Sequence, residues 1–306
     1  MGALEADDPM TRRSFFDWFP VNRLRRARPT VAVLRLDGVI GSIGPLRRGL
    51  SLTSLAGPIE RAFKFRGLKA VALAINSPGG SPVQTAMIAR RLRALADEAG
   101  IPVFAFAEDV ADSGGYWLAC AADEIFADEN SIIGSIGVRS GGFGFAGFIK
   151  RFGIERRLYT AGERKAMLDP FLREDADDVT RLGAIHQDVH ESFKSLVRTR
   201  RAGKLKAPED ALFSGEFWTG RRALELGLID GIGDLRSVMR ERFGHRVRLR
   251  PVSARRTWRR RFAFGADGAG AWAPVSARLG AADPGAWTAE LIAGLEERML
   301  WSRFGL

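Results

Sequence analysis

The chain has 306 residues, 46% hydrophobic and 27% charged, enough for a large core without metal or disulfide support. Its one cysteine, Cys120, excludes an intramolecular disulfide and zinc-finger spacing. No stretch approaches the ~20 continuous apolar residues of a membrane-spanning helix, and the N-terminus lacks the pattern of a secretory signal. The expected location is therefore the cytoplasm, either free or peripheral on the inner face of the cell membrane.

The net charge of +11 is concentrated near both ends. An expected arm over residues 1–29 mixes Arg12, Arg13, Arg23 and Arg25 with Phe15, Phe16 and Trp18. Such mixing suits an anionic membrane surface, where each basic residue contributes ~1 kcal/mol. A solvated arm is the plainer alternative, and nucleic acid is not an expected partner.

Thr30 to Gly38 reads as a strand and Leu52 to Phe65 as a helix with Leu55, Ile59 and Phe63 on one face. Lys69 to Ile75 is a continuous apolar run, the pattern of a strand buried on both faces. Ser81 to Ala99 is an amphipathic helix that Gly100 ends. Strands are expected at Pro102 to Ala107, Glu124 to Ala127 and Ile154 to Thr160. Helices are expected from Ser113 to Ala121, Gly147 to Phe152, Asp175 to Arg200, Ala223 to Leu228 and Leu235 to Phe243. This alternation predicts an α/β domain over residues 30–245 with a mostly parallel sheet. Residues 246–306 read as a linker, rich in Gly, Ala and Pro from Gly265 to Gly285, and an amphipathic helix from Trp287 to Phe304.

Ser113 stands in Asp112-Ser113-Gly114-Gly115-Tyr116, just after an apolar strand. A serine there is a nucleophile candidate once a base can take its proton. Lys165, in Gly162-Glu163-Arg164-Lys165, is the candidate base, provided burial disfavours its charged form. Gly79 and Gly80 follow a second apolar strand and can bring backbone N–H groups close to a substrate. With Gly114 they are the candidate oxyanion donors, each such donor contributing roughly 2.7–4 kcal/mol.

These segments, with Asn76-Ser77-Pro78, Gly134-Ser135-Ile136-Gly137-Val138 and Gly227-Leu228-Ile229-Asp230, resemble the signal peptide peptidase SppA family. The likeness is to its short, single-domain form, within the Clp/crotonase superfamily, and spans roughly Thr30 to Gly244. It implies a Clp/crotonase-like domain of repeated β-β-α units. It also implies a serine endopeptidase with Ser113 as nucleophile, Lys165 as general base, and Gly80 and Gly114 as oxyanion donors. Ser135 matches a position that hydrogen-bonds the lysine. Similar proteins form ring or dome homo-oligomers with dyads at subunit junctions and cut signal peptides or other short apolar peptides. Lys165 is thus a candidate to serve a neighbour's Ser113. No cofactor or metal is implied.

Rival readings assign these residues differently. Ser113 could cap a helix, Asp112 could shape the turn, and Cys120 could be buried filler. His186 or His190 could complete a Ser-His-Asp triad, as in related ClpP peptidases. A crotonase-like acyl-CoA enzyme or a membrane-surface scaffold with an inactive site would need no dyad. Gly, Ala, Leu and Phe near the dyad predict pockets for small or apolar side chains.

Overall fold

The computed structural model describes residues 28–41, 49–252, 294–295 and 297–304. Most of the expected basic arm and the whole Gly265 to Gly285 linker lie outside them.

Three long parallel strands form the centre. They are β1 (Thr30–Asp37), β2 (Leu68–Ser77) and β3 (Val103–Asp112). Between them come α1 (Leu52–Ala62) and α2 (Pro82–Ala99). The short α3 (Gly114–Ala119) follows β3 directly. Both β4 (Glu124–Ala127) and β5 (Ile132–Gly134) pair with β3, one along each half of it. Then come α4 (Ala146–Arg151), the long α5 (Ala176–Arg200) and α6 (Glu209–Leu212). The chain closes with β6 (Phe217–Thr219), α7 (Gly220–Leu226), β7 (Gly231–Ile232), α8 (Leu235–Phe243) and β8 (Arg248–Pro251). β6 lies antiparallel on β5, while β7 and β8 run parallel to β4 and β1. The sheet is therefore mixed and mostly parallel, the α/β class expected.

The apolar run in β2 is explained by burial on both faces. Val71, Leu73 and Ile75 point into the larger core with Ile59 of α1, Ile88 and Leu92 of α2, and Leu118 of α3. Ala70 and Ala72 face the opposite side, where Phe104, Phe106 and Phe126 pack with Val238 and Met239 of α8. Successive strand residues alternate faces, so a strand covered twice loses the apolar–polar alternation.

Local signals hold at the helix ends. Ser81 caps α2 through its side chain, accepting from Gln84 N, and Gly100 ends that helix in the left-handed region. Asp175 accepts from the backbone of Asp177 and Asp178 at the start of α5. One expected element is absent: Ile154 to Thr160 is exposed and carries no strand. A strand needs a partner edge. The edge of β5 away from β3 is taken by β6, whose three residues gave too short a pattern to detect. β8 also carries the sheet beyond residue 245.

Candidate active site

Parallel strands end on one edge of a sheet, so the turns after β2 and β3 meet there. Asn76 ties them together: its Nδ2 donates to Asp109 Oδ2 at 3.1 Å, and its Oδ1 accepts from Val110 N at 3.2 Å. The Ser77 hydroxyl donates to Gly38 O at 2.7 Å and accepts from Gly79 N at 3.3 Å. Gly79 has φ 98°, and a Cβ there would sit 2.8 Å from both Gly114 N and Ser113 Cβ. Only glycine permits that approach.

Ser113 has φ 49° and ψ −115°, a sparsely populated conformation for a residue with a side chain. Such strain costs about 1–3 kcal/mol and persists where surrounding structure enforces it. Here the Ser113 N–H donates to Gly134 O at 2.8 Å. The side chain makes no capping hydrogen bond to α3, which removes the helix-cap reading. Behind it, α3 is pinned by Tyr116, whose hydroxyl donates to Leu228 O at 2.8 Å. Trp117 stacks on Phe193 of α5 with centroids 4.8 Å apart. Among the described residues, the N–H groups of Gly80 and Gly114 have no hydrogen-bond partner. The Gly79 N–H is already taken by Ser77.

Ser113 opens into a cleft of about 500 Å³ that Pro78, Gly80, Asp112, Ser135, Arg139 and His190 help to line. Ser135 also has positive φ, 52°, and its N–H donates to Glu216 O at 2.7 Å. Asp112 is fully buried, and neither carboxylate oxygen makes a hydrogen bond. Burial pushes this carboxyl up to about 6; the nearby Ser135 hydroxyl, outside hydrogen-bonding geometry, and the Arg303 charge act the other way. Nothing in the sequence marks this group beyond its place before Ser113.

Lys165 is not in this cleft. It is exposed and borders a separate shallow hollow with Arg156, Leu158, Met167 and Phe171. The two histidines also separate. His186 pairs with the Ser140 hydroxyl, whereas His190 borders the Ser113 cleft with its Nε2 donating to Ile136 O at 2.9 Å. That bond gives His190 a main-chain carbonyl where a triad needs an acid, and no hydrogen bond joins it to Ser113 among the described residues. Cys120 is buried, and burial pushes its thiol up to about 12, far from a reactive thiolate. Among the described residues no group of three acids, histidines or cysteines could hold a metal.

Residues 96–244 match the model of Peptidase family S49. Over this span, just under half of its length, the chain is similar to that family. S49 is a family of serine peptidases with a Ser-Lys dyad, and the span contains Ser113, Gly114, Ser135 and Lys165. Gly79 and Gly80 precede it. The chain is 29% identical to the Arabidopsis thaliana protein named serine protease SPPA, chloroplastic, over 69% of this chain and 32% of that one. It is 29% identical to protease 4 of Haemophilus influenzae, over 68% of this chain and 34% of that one. A Brucella abortus protein named Na(+)/H(+) antiporter NhaA is 45% identical over 99% of this chain and 42% of its own length. The chain thus spans less than half of each. Among the described residues, no helix is long and apolar enough to cross a membrane.

Proposed function

We propose that this chain is a serine endopeptidase that cleaves short apolar peptides, signal peptides among them, through an acyl-enzyme. The observation that carries this is Ser113 itself. It is held at φ 49° in a cleft, unused as a cap, beside two N–H groups without partners. Its Oγ attacks the scissile carbonyl while the Lys165 amine takes the proton. The Gly80 and Gly114 N–H groups hold the oxyanion. Collapse breaks the C–N bond, and the lysine proton goes to the leaving amine. Water, deprotonated by the same amine, then attacks the ester, and Ser113 regains its proton.

Lysine accepts a serine proton only where burial disfavours its charged form. Lys165 is exposed and outside the cleft of its own chain, so a second copy supplies both the burial and the partner. The surface around it supports this. Phe143, Phe148, Phe152 and Ile154 are each more than half exposed on the segment leading to Lys165. Apolar patches of this kind mark protein–protein contacts. The active unit is a homo-oligomer in which Lys165 of one copy reaches Ser113 and Ser135 of the next.

The test is hydrolysis of a labelled apolar peptide by wild type, Ser113→Ala, Lys165→Ala, His190→Ala and a mixture of the first two variants. Loss in both single variants, retention in His190→Ala, and recovery in the mixture are expected. Recovery follows because mixed oligomers contain intact junctions. An active Lys165→Ala chain would sink the dyad, and a dead mixture would place both groups in one chain.

A further inference from the structure

Ser113 is held by the central sheet, but Lys165 has no comparable support. Among the described residues, none from 137 to 192 belongs to either buried apolar cluster. Residues 151–165 are all exposed and carry no helix or strand after Arg151. What fixes the turn around Lys165 is polar and aromatic, and it centres on Asp169.

The Asp169 side chain is only 9% exposed, in a stretch largely open to solvent. Its Oδ2 accepts from the Arg156 guanidinium at 2.8 Å and its Oδ1 from Phe171 N at 2.9 Å. The same guanidinium lies 5.6 Å from the Phe171 ring centroid. Phe171 stacks on Phe145 with centroids 5.6 Å apart, and Phe145 N donates to Pro170 O at 2.6 Å. Phe145 is the N-cap of α4, so the residues just after Lys165 are tied to the start of that helix and to the stretch beyond it. Towards Lys165, Asp169 N donates to Ala166 O and Met167 N to Arg164 O, each at 3.2 Å. Between these bonds Leu168 has φ 61°, a strained conformation that persists only where its surroundings enforce it. An isolated exposed ion pair adds little. Here both carboxylate oxygens are used, and Arg156, Asp169 and Phe171 line the hollow that Lys165 borders.

We propose that Asp169, locked by Arg156, is a positioning residue for Lys165. It sets where the amine is presented to Ser113 and acts only through the turn that carries that amine. This deepens the peptidase reading and rests on Lys165 as the base.

Asp169→Asn keeps the size of the side chain and removes its charge. In an otherwise wild-type chain it should lower kcat for the labelled peptide by about 100-fold, the effect of misplacing a reacting group by about 1 Å, with KM unchanged. Asp169→Glu should recover most of that loss. Arg156→Gln should match Asp169→Asn, and the double variant should lose no more than either alone. Sedimentation should match wild type throughout.

Mixtures separate positioning from general support. Placed on the Ser113→Ala chain, which supplies the lysine, Asp169→Asn should remove the recovery obtained with Lys165→Ala chains. Placed on the Lys165→Ala chain, it should leave that recovery intact. Equal loss in both mixtures would overturn the proposal. So would wild-type kcat in Asp169→Asn, or a variant that falls into smaller species as it loses activity. If the plain mixture shows no recovery, the kcat loss and its rescue by Asp169→Glu decide the matter within one chain. A Lys165→Ala chain as active as wild type removes the base and the proposal together. A dead Lys165→Ala chain beside a fully active Asp169→Asn chain removes the proposal alone.

Discussion

At the scale of single residues, the Ser113 edge of the sheet keeps two costly features side by side. Ser113 is strained in its backbone, and Asp112 is buried without a hydrogen bond. The raised pKa of Asp112 has a definite consequence for stability. A carboxyl whose folded pKa lies above its ordinary 3.8 binds its proton more tightly in the folded chain. Its contribution is therefore most favourable below about pH 4 and is lost as pH rises toward about 6, a change of about 3 kcal/mol. Ser135 and Arg303 oppose this, and Arg139 and His190 border the same cleft. Asp112→Asn removes the titration. Denaturant unfolding should show the variant gaining on wild type between pH 4 and pH 7, and a difference that stays flat over this range would contradict it.

Among the elements, the link between α5 and the segment after α7 matters most to the site. Arg201, just past α5, is almost fully buried and donates to Asp230 Oδ2 at 2.6 Å and to Gly227 O. Asp230 also accepts from Lys204 Nζ and Ile125 N. Burial raises the Asp230 carboxyl, but these donors outweigh it and leave the pKa lowered. The same segment supplies Leu228 O, which anchors Tyr116 behind Ser113. Breaking a buried pair from one side costs about 3–5 kcal/mol. Arg201→Ala should lower stability by an amount in this range, with a smaller loss for Tyr116→Phe of about 1 kcal/mol, the net worth of one hydrogen bond. Urea midpoints at constant slope measure both. An Arg201→Ala chain as stable as wild type would show that Lys204 and Ile125 N suffice for Asp230.

For the whole molecule, the decisive feature is that Lys165 and Ser113 do not share a cleft within one chain. Assembly and activity should then fail together. Phe148→Glu with Phe152→Glu places two charges on α4 and its C-cap, in the exposed apolar stretch before Lys165. Sedimentation should show the variant reduced to smaller species, with peptide hydrolysis falling by at least about ten-fold. An active monomer would refute the shared site.

Periodicity and end signals in the sequence determined the central layers: the doubly buried run of β2, the caps of α2 and α5, and the Ser113 turn. Those features are local, because burial on both faces, a capping side chain and a glycine at positive φ each leave a mark within a few residues. The strand expected at Ile154 to Thr160 failed, and β5 to β8 went unseen, because two to four residues become a strand only when a distant edge pairs with them. The site divided in the same way. Ser113 and its glycines were legible as motif residues, and family resemblance pointed to Lys165. The orphaned state of Asp112, the commitment of His190 to a carbonyl, and the arrival of Arg303 from the far end depend on contacts across the chain. Tertiary structure alone decided them, since a side chain's partners are fixed by which surfaces fold together.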